Sequence, residues 1–337
     1  MSTSKSAILI IGVGSIGARH VKCFQKTGDA RVSICEIDDL QREQVQSQFG
    51  IERVYADVEV ALAEPHDAVV VATPAQWHIP FAQQAAEVGL HALIEKPLSV
   101  STRGLQQLVD TTARQQLVAA VAYVYRAHPA LAAMKTALDA GRFGRPLQLV
   151  AVSGQDFARY RPAYRNTYYR DHAAGGGAIQ DALTHLLNAG EWLLGPIERL
   201  VADAEHQNLS GVEVEDTVHI LARHADVLAS YALNQHQSPN ETTITVACEE
   251  ATVRFDFFRR HFAWMNRGED VWQGEPGAAW EGNELFIAQA RSFLQAITLG
   301  SAPLCGLEEG AQTLRANLAA LASARGGEWL AVGGQER

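Results

Sequence analysis

The chain opens on a short apolar run, Ala7 to Ile11, that breaks straight into Gly12-Val13-Gly14-Ser15-Ile16-Gly17. Arg19-His20-Val21-Lys22-Cys23-Phe24 then carries apolar positions at helical spacing, Gly28-Asp29 ends that helix, and Arg31 to Glu36 reads as a second strand. The alternation continues with a helix near Leu40 to Phe49, a short strand at Arg53-Val54-Tyr55 and a helix near Val58 to Glu64. Asp67 to Ala72 is apolar after its first residue and does not alternate, the mark of a parallel strand buried on both faces. Thr73-Pro74 stops it; Ile79 to Val88 is the next helix, His91 to Ile94 a strand ending at Glu95-Lys96-Pro97, Ser99 to about Gln115 a helix, and Leu117 to Val124 the last strand. Strands and helices in strict succession predict a doubly wound parallel sheet whose ligands sit at the carboxyl ends of the strands.

The pattern changes near Tyr123. After a helix from Pro129 to about Ala140, alternating segments dominate: Leu147 to Ser153, Ile197 to Ala204, Asp216 to Leu221, Val227 to Asn234, Thr242 to Cys248 and Ala251 to Phe257. These predict an open, largely antiparallel sheet, with one helix near Ile179 to Leu194 inside the series and two, Leu285 to Leu299 and Glu308 to Ala324, after it. The expected organisation is α/β throughout: a Rossmann-type domain over 1–124, an α+β domain over 125–306, and a final helix and tail over 307–337 that return to the first domain.

Composition narrows the function class. With 337 residues, 47% hydrophobic and 20% charged, the chain suffices for two cores. A net charge of −10 argues against nucleic acid and anionic membrane as partners. Cys23, Cys35, Cys248 and Cys305 show neither metal spacing nor a disulfide framework, which suits a reducing cytoplasm, and no run reaches the length of a membrane span.

The glycine turn supplies the first chemistry. Gly12 permits the sharp exit from the strand, Gly14 allows a pyrophosphate to approach the backbone, and Gly17 lets the helix lie against the sheet, so that free amides at the helix start face the anion. Glu36 follows nineteen positions beyond Gly17, where a carboxylate accepts hydrogen bonds from the adenosine ribose hydroxyls and repels a 2′-phosphate. The expected cofactor is NAD, in preference to NADP.

The glycine turn, Thr73-Pro74 with His78 behind it, Glu95-Lys96-Pro97, Tyr125-Arg126 with Pro129, and Gly175-Gly176-Gly177 followed by Asp181 and His185 resemble, in that order, the motifs of the Gfo/Idh/MocA oxidoreductases. The resemblance implies a Rossmann domain joined to an α/β domain whose broad sheet forms homo-oligomers, and NAD(P)-dependent redox chemistry on sugars, cyclitols and their derivatives. It places Gly12, Gly14, Ser15, Ile16, Gly17, Glu36, Thr73, Pro74, His78, Glu95, Lys96 and Arg126 at the cofactor, and Lys96, Tyr125, Asp181 and His185 at the substrate.

Oxidation of a secondary alcohol needs a base for the hydroxyl proton and a cation beside the oxygen while hydride leaves carbon. His185 is the candidate base, Lys96 the cation, and Asp181, one helical turn before His185, the group that orients the imidazole or accepts a substrate hydroxyl. His172, Asp181 and His185 could instead surround zinc, but no cysteine lies near and no His-Glu-x-x-His pattern exists, so no metal is expected.

Residues 156–172 crowd tyrosine and arginine together in an otherwise acidic chain. They suit either a sugar with an acidic group, contacted by Tyr160, Tyr164, Arg165 and Arg170, or an arm on a neighbouring subunit. Three positions depart from the family pattern. Ala75 stands where asparagine is common, Trp77 either shapes the nicotinamide pocket or, more in keeping with a large aromatic, fills the core, and Asn188 replaces an acid, with substrate choice expected to follow. The reading is an NAD-dependent dehydrogenase of a carbohydrate or cyclitol hydroxyl. A glycoside-cleaving enzyme that recycles bound NAD and a non-catalytic NAD and sugar sensor stand as rivals.

Overall fold

Ile8 to Ile11 are buried on both faces, as are all four residues of Ala68–Val71, and these two strands lie side by side at the centre of a parallel sheet. The computed structural model describes residues 5–276 and 282–333. The chain runs β1 (Ser6–Ile11), α1 (Ser15–Thr27), β2 (Ala30–Cys35), α2 (Asp39–Phe49), β3 (Val54–Tyr55), α3 (Val58–Leu62), β4 (Ala68–Val71), α4 (His78–Glu87), β5 (His91–Ile94), α5 (Leu105–Arg114) and β6 (Ala119–Val121). Among the described residues six strands pair in the order β3-β2-β1-β4-β5-β6, all parallel. The order reverses between β1 and β4, and the glycine turn opens at that switch point. One boundary differs from expectation. Ser99 does not start a helix; Gly104 sits at φ 78°, a left-handed conformation that no right-handed helix accommodates, and α5 begins only at Leu105.

The second unit follows with α6 (Pro129–Asp139), β7 (Pro146–Asp156), α7 (Phe157–Tyr160), α8 (Thr184–Leu194), β8 (Arg199–Glu205), β9 (Thr217–His224), β10 (Val227–Asn234), β11 (His236–Cys248), β12 (Ala251–Asp256), β13 (His261–Asn266) and β14 (Gln273–Pro276). Neighbouring strands are antiparallel except β7 and β10, which run parallel at the centre. Buried and exposed positions alternate along β9 and β10, so one face is packed and the other is open. Leu131, Met134 and Leu138 of α6 and Leu186, Leu187 and Leu193 of α8 cover the packed face. β13 and β14 escape a period-two reading because β13 has adjacent buried residues rather than alternation.

Two further helices complete the chain, α9 (Glu284–Leu299) and α10 (Leu307–Gly326), before a two-residue strand β15 (Leu330–Ala331) that joins the second sheet beside β8. Contacts divide the chain into Met1–Val124 with Glu281–Ala311, and Tyr125–Trp280 with Gln312–Arg337. The expected return of the last helix to the first domain is therefore corrected. It is α9 that joins the Rossmann unit, where Phe293 meets Phe24 edge to face at 6.4 Å and Ala290 and Leu294 enter the core. α10 beyond Ala311 belongs to the second unit because its small residues Ala316 and Ala320 enter that unit's sheet core. Among the described residues no helix is long and apolar enough to cross a membrane.

Phe293→Ala removes a buried ring from α1 and α9, and a loss of about 3–5 kcal/mol is expected. The check is a urea denaturation curve followed by circular dichroism. An unchanged midpoint would place α9 outside the first core.

Candidate active site

In the first unit the glycine turn continues the sheet ladder, with Gly12 N donating to Cys35 O at 2.8 Å. Gly12 lies at φ +83°, and a Cβ on Gly17 would stand 2.0 Å from the Gly12 carbonyl oxygen, so neither position admits a side chain. Around Gly14 the reverse holds, since among the described residues no atom beyond its own local backbone and chain neighbours lies within 4 Å of where its Cβ would be. Gly14 is also the N-cap of α1, and none of those residues caps the helix with a side chain. Glu36 is anchored over the turn: Val13 N donates to Oε2 at 2.8 Å and Asp38 N to Oε1 at 3.1 Å. At the end of β4, Thr73 Oγ1 is buried with no hydrogen-bond partner among the described residues. An open backbone cradle, uncapped helix amides and an orphaned hydroxyl fit a dinucleotide.

Other residues expected at the cofactor are engaged within the protein. His78 begins α4 fully buried, with Nε2 2.7 Å from Thr73 O and Nδ1 2.9 Å from Pro97 O. Burial is the largest influence on its ring and holds the pKa below the ordinary value. The neutral ring stands between the carbonyls of two strand-end loops and donates to one of them. Glu95 is likewise buried, Oε1 facing His20 Nε2 at 2.7 Å and Oε2 accepting from Lys96 N at 3.0 Å. Burial pushes this carboxyl up, but the His20 hydrogen bond and the fields of His20 and Lys96 outweigh it and hold the pKa low. Lys96 is half-buried at the tip. Trp77 does not fill the core; it is 51% exposed and stacks on Phe81.

In the second unit Asp181 lies in a π-turn, Ile179–Leu183, that runs directly into α8, and His185 is in the first turn of α8. Irregular turns of this kind occur often at functional sites. Tyr168 donates its hydroxyl to Asp181 Oδ1 at 2.6 Å, and Tyr125 stacks on the His185 ring at 4.7 Å and 14°. Burial pushes the Tyr125 phenol up to about 12, so it stays protonated at neutral pH. The glycines explain how Tyr168 arrives there. A Cβ on Gly176 would be 2.2 Å from Tyr169 O, and one on Gly177 2.6 Å from Glu215 Oε1. Glu215 accepts from Ile179 N at 2.9 Å and pairs with His172 Nε2, so His172 serves the helix start. Among the described residues no three His, Cys, Asp or Glu side chains are grouped to hold a metal.

Arg126 is buried inside this second unit and not in the Rossmann unit, its Nε donating to Asn188 Oδ1 at 2.9 Å and its guanidinium 5.4 Å from the Trp192 ring. Asn188 is itself buried and donates to Thr313 Oγ1, so it holds α8 to α10. The 156–172 segment builds a small core of its own from Phe157, Tyr164 and Tyr169 with Leu209, Val212 and Val214. Tyr164 is spent there, donating to Ser210 O, and Arg165 Nε donates to the same oxygen. Tyr160 and Arg170 are exposed. Tyr168 went unassigned in the sequence because nothing distinguishes it among four tyrosines, and His20 because it sits in an ordinary helical pattern.

Two family models match the chain: "Oxidoreductase family, NAD-binding Rossmann fold" over residues 6–123 and "GFO/IDH/MocA C-terminal domain" over 131–254. The chain belongs to the Gfo/Idh/MocA oxidoreductase family. Levoglucosan dehydrogenase of Pseudarthrobacter phenanthrenivorans is 25% identical over 96% of this chain and 97% of its own length. D-apiose dehydrogenase of Paraburkholderia graminis is 28% identical over 73% and 66%, and inositol 2-dehydrogenase of Azotobacter vinelandii 31% identical over 55% and 53%. In fold, a levoglucosan dehydrogenase structure in complex with NADH and levoglucosan superposes with a TM-score of 0.89, at 22% identity over 98% of this chain and 100% of that one.

The hydrogen bond with Glu215 raises the His172 pKa against the opposing effect of burial. A raised folded-state value means that the pair stabilises fully below the unfolded pKa of about 6.5 and is lost as pH rises through the folded value. The melting-temperature advantage of the wild type over His172→Gln is therefore expected to be largest near pH 5.5 and to shrink by about pH 8. A difference that does not vary with pH would contradict this.

Proposed function

We propose that the chain is an NAD-dependent dehydrogenase that oxidises a secondary hydroxyl of a sugar, sugar acid or cyclitol. Membership in an oxidoreductase family over both halves of the chain carries this reading, together with relatives named for levoglucosan, apiose and inositol. When bound, the nicotinamide accepts hydride from the substrate carbon. The protein's share is proton handling and charge. His185, braced by the Tyr125 ring, takes the hydroxyl proton; Asp181, fixed by Tyr168, receives a neighbouring substrate hydroxyl; Lys96 stabilises the oxygen as it gains negative charge. Gly12, Gly14, Ser15, Ile16 and Gly17 cradle the pyrophosphate, with Thr73 and Pro74 beside the cofactor. Tyr160 and Arg170 are exposed enough to reach substrate.

Glu36 supports a preference for NAD, because a carboxylate held over the glycine turn meets a ribose hydroxyl favourably and a 2′-phosphate with repulsion. The open sheet face, with Leu147, Val150, Leu221 and Leu228 exposed, supports a homo-oligomer built on that face. The four cysteines are buried and form no disulfide among the described residues, which agrees with a cytoplasmic setting.

The test follows reduced-nicotinamide absorbance with NAD and a panel of levoglucosan, apiose, inositols, aldoses and sugar acids. Net NADH accumulation is expected. Sugar release without net NADH would instead indicate a glycoside-cleaving enzyme. Lys96→Ala and His185→Ala are each expected to lower kcat by about 100-fold or more with NAD affinity nearly unchanged, and full turnover in either removes that residue's role. Glu36→Ala is expected to narrow the ratio of NAD to NADP affinity by at least about tenfold, read by calorimetry; an unchanged ratio would take Glu36 out of the ribose site.

A further inference from the structure

A buried pair lies at the root of the Lys96 tip. His20 is 1% exposed and Glu95 4%, and His20 Nε2 stands 2.7 Å from Glu95 Oε1. A carboxylate only accepts, so Nε2 carries the donated proton. The remaining ring nitrogen has no hydrogen-bond partner among the described residues, and the ring has Phe24 and Phe286 as aromatic neighbours, with centroids at 6.3 and 6.4 Å. Apolar side chains of equal volume would fill such a place without the cost of desolvating a carboxylate, so stability alone does not explain the pair. Its geometry supplies another reason. The second oxygen of Glu95 holds the backbone amide of Lys96, and His20 is three residues beyond Gly17 on the helix that opens at the glycine turn. On the far side of the tip, the His78 ring meets the Pro97 carbonyl.

We propose that His20 is a positioning residue for Lys96: through Glu95 it locks the lysine-bearing strand end to the helix of the pyrophosphate cradle. The inference rests on the role given above to Lys96. Misplacing a catalytic group by about 1 Å costs on the order of 100-fold in rate, so loss of this lock shows in turnover more than in cofactor affinity.

His20→Leu removes the donor, whereas His20→Gln returns an amide N–H at comparable reach. With the panel substrate that yields NADH, H20L is expected to lower kcat about 10- to 100-fold while the NAD dissociation constant, measured by calorimetry on the apoprotein, changes less than about threefold. H20Q is expected to recover most of the loss. In a Lys96→Ala background, H20L is expected to produce no further fall in the residual rate. An H20L protein that melts lower yet keeps wild-type kcat overturns the proposal, as does an equal fall in the K96A background. Full activity in K96A by itself defeats the reading of Lys96, a result distinct from either. Should H20L fail to fold, 15N NMR of the wild-type apoprotein decides: a His20 ring protonated on Nε2 supports the lock, and one protonated on Nδ1 alone leaves Glu95 without its donor and overturns it.

Discussion

The first unit depends on a contact that only a missing side chain allows. With no Cβ at Gly17, α1 starts directly against the Gly12 carbonyl, where a methyl group would be 2.0 Å from the oxygen. That closeness fixes the direction in which α1 leaves the sheet, and with it three other placements. The uncapped amides of α1 face the opening left by Gly14, His20 arrives at the end of β5 to meet Glu95, and the Gly12 to Cys35 hydrogen bond brings Glu36 over the turn. The glycine turn and the Lys96 strand end are thus linked through His20 and Glu95 rather than being separate loops.

The second unit solves a similar problem with different parts. Gly176 and Gly177 let the Tyr168–Tyr169 turn and the Glu215 carboxylate press against the start of the π-turn. Glu215 satisfies the Ile179 amide, and Tyr168 then lies within a hydrogen bond of Asp181. One turn further on, Tyr125 stacks on His185, while Arg126, its neighbour in sequence, is anchored on Asn188 in the same helix. Acid and imidazole are each braced by a tyrosine, and the buried Arg126, Asn188 and Thr313 keep the helix that carries them in register.

How much of this was readable without coordinates depended on range. Strand β4 and the glycine turn were legible because burial on both faces and backbone strain leave local signatures in residue type. The start of α5 was not, since Ser99-Val100-Ser101 imitates a helix cap while the deciding feature is the backbone angle of Gly104. Nor was the packing of α9 and α10, because only contacts distant in sequence decide which core each enters. Family motifs point to residues but not to how their atoms are spent. Glu95, His78 and Arg126 were expected at the cofactor and are used inside the protein, whereas Tyr168 had no mark of its own. The core-filling alternative for Trp77 failed for the same reason, because exposure is a property of the folded chain.

The most direct test of hydride chemistry uses the sugar or cyclitol that turns over, deuterated at the reacting carbon, with NAD in a single turnover followed by mass spectrometry of both products. One deuterium in the reduced nicotinamide for each carbonyl formed is predicted. Substrate consumed with the label appearing in water, or with no reduced nicotinamide at any stage, would contradict it.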